Sequence, residues 1–147
     1  MRRPGPDVTV TEGPDGARHV MVTAVVDETT RTVVAERVQR ADTFLTRLVG
    51  LLGRDGLAPD EALWIAPCKG IHTIGMRFAI DAIFLDEHLR VVGLHERIVP
   101  WRATRFVRHA TSVLELPAGA VSRTHVNIGD QLGFLPATEV ARPEETA

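Results

Sequence analysis

Three residues with soft or borderline metal-binding side chains recur at even spacing near the middle of the chain. Three residues separate Cys68 from His72, and three more separate His72 from Met76. A thiolate, an imidazole and a weak axial thioether are ligands of blue-copper centres, which also need a second imidazole. His19 is the candidate for that role. In the alternative that we prefer, Cys68 and Met76 are packing residues and His72 lies in a turn, so we expect no metal or other cofactor.

Two carboxylates interrupt short apolar runs that are otherwise typical of buried strands. These residues are Asp81 and Glu115, and a buried carboxylate must be paired or accept hydrogen bonds. Together with His72, the two acids could form the acid–base group or metal cluster of a hydrolase or lyase. The structural alternative pairs one of them with Arg47 or Arg77, or gives both of them backbone donors in tight turns.

Basic and aromatic residues are interleaved between positions 97 and 109. Four arginines accompany Trp101 and Phe106 in this run. Stacking rings among cations could bind a nucleic-acid backbone. Alternatively, the two rings pack on the core and leave the arginines in water. Because the whole chain has a net charge of −2, we favour the packing interpretation and do not expect a nucleic-acid partner.

The segments that must position these residues are mostly strands. Valine-rich residues 19–26 and 31–38 flank a polar turn and predict a hairpin, and residues 78–85 and 89–94 predict a second one. Helical spacing of leucines predicts one short helix near residues 42–52. Further short strands are predicted at 62–66, 113–116 and 131–135. This pattern indicates a mostly β fold, a sandwich or barrel-like arrangement of antiparallel sheets with one helix outside.

Length and composition indicate one ordinary domain. The chain has 147 residues, of which 44% are hydrophobic and 24% charged, as in globular proteins. We expect tails at residues 1–17 and 136–147 around a domain at 18–135. A single cysteine excludes an internal disulfide. No apolar run approaches the roughly 20 residues of a membrane span, and the amino terminus lacks the apolar region of a secretory signal. We therefore expect no membrane insertion and a cytoplasmic location; the oligomeric state is left open.

The order of several short motifs resembles that of DUF192, a prokaryotic family catalogued as domain of unknown function 192. The motifs lie at 41–54, 72–86, 113–119 and 129–130, within a resemblance that covers about residues 35–135. The resemblance implies a compact, mostly β fold without an established activity. The positions that it singles out, none with an assigned catalytic role, are Arg47, Gly50, Leu51, Met76, Asp81, Asp86, Glu115, Gly119, Gly129 and Asp130.

These features favour a small binding or accessory domain that is not an enzyme. The phosphate-binding loop, the nucleophile elbow and the zinc-protease helix motif are all missing from the sequence. We expect a concave surface that holds a small molecule or a peptide. Its predicted ligand-binding residues are Arg47, His72, Asp81, Trp101 and Glu115. The second hypothesis is a hydrolase or lyase that uses His72 with Asp81 or Glu115, and the third is metal binding through Cys68, His72 and Met76.

Overall fold

The computed structural model describes residues 10–12, 18–20, 23–41, 51 and 53–136, and strands dominate it. The elements are β1 Val10–Glu12, β2 Arg18–Val20, β3 Thr23–Asp27, β4 Thr32–Ala41, β5 Glu61–Ile65, β6 Ile80–Leu85, β7 Val91–Ile98, β8 Ser112–Pro117, α1 Ala120–Thr124 and β9 Leu132–Pro136. Strands β1 and β2 form a small sheet of their own, and β1 lies in the part of the sequence that we assigned to the amino-terminal tail. The other strands form one seven-stranded sheet in the order β7-β6-β8-β5-β4-β3-β9. The prediction of a mostly β fold is confirmed.

Both predicted hairpins are present, and an aspartate closes the turn of each. Strands β3 and β4 pair in antiparallel orientation around a turn in which Asp27 Oδ1 accepts the backbone N–H groups of Thr29 and Thr30, at 3.0 and 3.2 Å. Strands β6 and β7 pair around a tip in which Asp86 Oδ1 accepts the N–H of His88 at 2.9 Å. Aspartate favours such turns because its side chain can accept these nearby backbone N–H groups.

The seven-stranded sheet curls until its two edge strands meet. Beside β7 and β9, Arg90 and Gln131 form an isolated antiparallel bridge, and the N–H of Val91 donates to the carbonyl oxygen of Asp130 at 2.9 Å. The result is an incompletely closed barrel. Neighbouring strands are antiparallel except for the parallel pair β4–β5. Parallel neighbours need a long connection, which residues 42–60 supply here.

Side chains that alternate along the strands divide the core between the two faces of the sheet. Ile83 and Leu85 of β6 face the inner core, whereas Ile80, Ala82 and Phe84 face the outer core, as the predicted strand pattern requires. The inner core consists of Val25, Val34, Ala35, Val38, Ala62, Ile83, Leu85, Val91, Leu114, Leu116, Ala120, Val121, Val126 and Leu132. The outer core consists of Leu51, Leu63, Ile65, Ile71, Met76, Ile80, Ala82, Phe84, Ala110 and Val113.

A short helix that the sequence pattern does not predict follows β8. Helix α1 begins after Gly119, whose φ of 94° is one that glycine adopts readily, and it places Ala120 and Val121 in the inner core. Five residues are too few to show a helical period. The helix predicted near residues 42–52 lies outside the described residues except for Leu51, which is buried in the outer core. Within the described ranges, no helix is long and apolar enough to cross a membrane.

Candidate functional site

Asp81 is completely buried, and backbone donors satisfy its carboxylate. Oδ1 accepts the N–H of Arg97 at 2.8 Å, and Oδ2 accepts those of Gly119 at 3.1 Å and Val121 at 2.9 Å. Arg97 belongs to an irregularity in the β6–β7 pairing, and the other two donors are at the start of α1. By accepting backbone donors, the carboxylate therefore joins a strand bulge to a helix end.

Glu115 lies on the opposite face of the sheet from Asp81. The β6–β8 register pairs Ala82 with Glu115 and Asp81 with Leu116. Directly opposed residues share a face and successive residues alternate, so Asp81 faces inward with Leu116 and Glu115 faces outward with Ala82. The structure does not bring the two acids together as one acid–base pair.

Cys68 and Met76 take part in packing. Met76 is 5% exposed and belongs to the outer core, while Cys68 packs against that core and donates its thiol to the carbonyl oxygen of Gly70 at 3.1 Å. His72 is partly buried and forms an isolated bridge with Ala103. Within the described residues, no group of three or more His, Cys, Asp and Glu side chains is arranged to hold a metal.

Two predicted site residues lie wholly or partly outside the described part of the chain. Arg47 belongs to the undescribed stretch 42–50, and His19 is described only as backbone within β2. An ion pair of Arg47 with either acid therefore stays a prediction, as does a contribution of His19 to a copper site.

Two segments pair with each other and cover part of the outer core. These paired loops are residues 68–76 and 99–108. The N–H of Thr104 donates to the carbonyl oxygen of Ile71 at 2.9 Å, and the N–H of Ile71 donates in return to the hydroxyl of Thr104 at 3.0 Å. Because these bonds link segments far apart in the sequence, they fix one loop against the other.

Buried Thr73 is the centre of this pairing. Its hydroxyl donates to the carbonyl oxygen of Val99 at 2.7 Å and accepts the N–H of Arg102 at 3.0 Å. Its backbone N–H donates to the carbonyl oxygen of Arg102 at 2.8 Å, and its own carbonyl oxygen accepts the N–H of Trp101 at 3.0 Å. One residue thus fixes the backbone on both sides of Trp101.

The aromatic side chains of the second loop are in solvent. Trp101 is 65% exposed and has a φ of 65°, a left-handed conformation that is rare for a bulky residue. Phe106 is 85% exposed, and a methyl group at Gly70 would lie only 3.0 Å from its ring. The expectation that both rings pack on the core is wrong, because Ile71 and Val107 of the same loops already pack there.

Exposed apolar and cationic side chains occur together on the paired loops. We call this surface the loop face; it consists of Ile74, Val99, Trp101, Arg102, Arg105 and Phe106. In the part of the chain that the structure describes, neither arginine of this set forms an ion pair. Apolar surface rimmed by polar groups is typical of interaction sites, and arginine and aromatic residues are enriched at them.

Comparison with known proteins identifies relatives over most of the chain. The model of the DUF192 family, described as "Uncharacterized ACR, COG1430", matches residues 24–134. A UPF0127 protein of Thermococcus sibiricus is 33% identical over 118 residues, which are 75% of this chain and 73% of the relative. A UPF0127 protein of Pyrococcus furiosus is 35% identical over 101 residues, 65% of this chain and 84% of the relative. A solved protein of unknown function from Novosphingobium aromaticivorans has the same fold, with a TM-score of 0.68 at 22% identity over 86% of this chain and 94% of that one.

Proposed function

The chain belongs to the DUF192 family of uncharacterised proteins, and from its own residues we propose that it is a small binding or accessory domain whose ligand contacts the loop face. The observation that carries this proposal is the exposed ring of Trp101 on a left-handed backbone. That conformation costs a residue other than glycine about 1–2 kcal/mol. Five other described residues that are not glycine also have a positive φ, among them Arg31 and Leu89 in turns, so what distinguishes Trp101 is that its surroundings hold a large, exposed ring in this conformation.

The surroundings that impose this conformation are the hydrogen bonds of Thr73. They hold the backbone of Trp101 and Arg102 before any ligand arrives. A preorganised surface loses less conformational entropy on binding than a mobile one. The paired loops therefore suit recognition of a small molecule or a peptide.

The proposal assigns ligand contact to the aromatic residue of the predicted site and not to its two acids. Trp101 is kept as a ligand contact, with His72 on the neighbouring segment. Asp81 and Glu115 are completely buried, and the carboxylate of Asp81 already serves three backbone donors. We assign these two acids to the support of the fold.

Ligand-observed and protein-observed NMR with a library of small aromatic and carboxylic-acid fragments would test this proposal. Fragments collect at surfaces that bind natural ligands, so we expect their shift changes to cluster around the indole N–H of Trp101. Trp101→Ala should abolish these shifts. The matched control is Val33→Ala, which truncates a side chain that is 40% exposed on β4, and it should leave them unchanged.

Fragment shifts that cluster elsewhere on the protein would overturn the proposal. Turnover of a substrate that depends on His72 would instead favour the enzyme hypothesis. The proposal includes the cytoplasmic location expected from the sequence, which fractionation of the native cells would test.

A further inference from the structure

The paired loops lie in the basic part of the sequence. The cations of residues 66–80 and 97–111 are Lys69, Arg77, Arg97, Arg102, Arg105 and Arg108, and neither stretch contains Asp or Glu. All six side chains are exposed. Because six of the chain's 17 Lys and Arg residues lie here and none of its 19 Asp and Glu residues does, the remainder of the sequence is acidic. Arg77 Nη1 lies 3.6 Å from Asp55 Oδ1, but the other five cations form no ion pair within the described residues, so the net charge of −2 conceals a local excess of positive charge.

We propose that the loop face binds a short acidic peptide segment of a partner protein. Apolar side chains of that segment pack on Trp101 and Phe106, and its carboxylates pair with Arg102 and Arg105. This inference rests on the proposed function and adds the class of partner to it. Charge complementarity selects the occupant, since arginine presents a planar fork of donors that matches a carboxylate.

The position of Arg102 is fixed in advance. Its backbone N–H and carbonyl oxygen both bond to Thr73, and its Nη1 lies 3.4 Å from the carbonyl oxygen of Trp101. The guanidinium group therefore contacts the backbone of Trp101, the residue that carries the exposed indole. A peptide that carries both carboxylates and apolar side chains can contact Arg102 and the exposed rings of the same loop.

The aliphatic members of the loop face favour a peptide over a nucleic acid. Bases stack on aromatic rings, but Ile74 and Val99, exposed by 49% and 46%, offer no platform for stacking. Leucine or valine side chains of a peptide would pack on them.

Fluorescence anisotropy with defined probes tests the proposal. The main probe is a short fluorescein-labelled peptide in which Glu alternates with Leu. The comparison probes replace its Glu by Lys, or its Leu by Ser, and a fourth probe is a labelled oligo-dT strand. We expect the Glu–Leu peptide to bind most tightly, and its affinity to fall as salt is added because salt screens exposed charges.

Variants on and off the loop face supply the controls. Arg102→Glu should weaken binding of the Glu–Leu peptide by about tenfold or more, which corresponds to about 1.4 kcal/mol. Trp101→Ala should do the same. The matched control, Arg31→Glu, makes the same change of charge at an exposed arginine in the β3–β4 turn and should leave the affinity within about twofold.

Each other outcome overturns the inference in a recognisable way. Tighter binding of oligo-dT, lost in Arg102→Glu, would identify a nucleic-acid partner. Equal binding of the Glu–Leu and Lys–Leu peptides would exclude the selection by charge. If neither peptide binds while fragments still cluster at Trp101, the partner class is wrong and the proposed binding function stands. If fragments and peptides all bind elsewhere, both proposals fail.

Discussion

The carboxylate of Asp81 lies 2.9 Å from the backbone nitrogen of Val121, and this contact joins β6 to the first turn of α1. The same side chain accepts the N–H groups of Gly119 and Arg97. Three elements that are distant in the sequence thus meet at one buried carboxylate. An isolated charge would be too costly at this place, but three backbone N–H dipoles stabilise it.

Replacing Asp81 should therefore cost the fold a large share of its stability. Asp81→Ala leaves one buried and two partly buried N–H groups without their acceptor, at about 1–3 kcal/mol for a buried unsatisfied group, so we expect a loss of roughly 3 kcal/mol in urea unfolding. Asp81→Asn keeps one oxygen acceptor and should cost less. The control is Asp55→Asn, because the side chain of Asp55 is 94% exposed. Equal stability of Asp81→Ala and the control would contradict this assignment.

The carboxyl group of Asp27 should make the free energy of unfolding depend on pH. Burial raises the pKa of Asp27 above its ordinary value of 3.8, and the neighbouring carboxyl group of Asp130 raises it further, against the N–H groups of Thr29 and Thr30. The folded state therefore holds this proton more tightly than the unfolded chain does. The stabilisation is complete below about pH 3.8 and is lost as the pH rises through the raised pKa.

Asp27→Asn tests this dependence, because asparagine resembles the protonated acid. Its oxygen can accept the same turn N–H groups, and its amide can donate to Asp130. In urea unfolding between pH 3 and pH 8, the free energy of unfolding of this variant relative to the parent protein should increase as the pH rises, because the variant lacks the contribution that the parent loses. The variant Asp55→Asn should follow the parent profile. Parallel profiles for Asp27→Asn and the parent would show that Asp27 has an ordinary pKa.

The pattern of the sequence predicts most strands because each strand carries its own signal. Residues 78–85 alternate between two apolar faces, and the structure buries both. The parallel pairing of β4 with β5 could not be predicted, because it depends on where a long connection returns. The five residues of α1 were missed because they are shorter than any helical period and are held by Asp81 from another strand.

The candidate site was predicted only in part, because the contacts that form it join residues that are distant in the sequence. Trp101 stands out by its residue type, whereas Thr73 has no local feature that marks it. Its role arises from bonds to Val99, Trp101 and Arg102, more than twenty residues away. The absence of acids from residues 66–80 and 97–111 could have been read from the sequence. Its meaning required the knowledge that these two stretches pair.

Met76 and Cys68 should behave as packing residues when they are replaced. Met76→Ala removes a side chain from the outer core and should cost about 2–5 kcal/mol of unfolding free energy. Cys68→Ala removes a smaller, partly exposed group and should cost about 1 kcal/mol or less. Elemental analysis of the natively purified protein should find the same copper and zinc content in the parent and in both variants. Stoichiometric metal that disappears in Cys68→Ala would instead establish the metal-binding hypothesis.

Thr73 should couple the stability of the paired loops to binding. Thr73→Val keeps the shape of the side chain but removes the hydroxyl that donates to Val99 and accepts from Arg102. We expect a loss of about 1–3 kcal/mol, since an N–H and a carbonyl lose their shared partner. Hydrogen exchange should accelerate at Trp101 and Arg102 and remain unchanged in β8, because the bonds of that strand do not involve Thr73.

Thr73→Ser supplies the matched comparison, because it retains the hydroxyl and loses only a methyl group. If preorganisation of Trp101 supports recognition, Thr73→Val should weaken binding of the Glu–Leu peptide several-fold, whereas Thr73→Ser should bind the peptide almost as tightly as the parent protein does. Thr111→Val controls for the loss of a hydroxyl elsewhere, at an exposed residue whose hydroxyl oxygen lies 3.4 Å from its acceptor. Accelerated exchange at Trp101 in Thr73→Val without any loss of affinity would show that the ligand does not need this loop conformation.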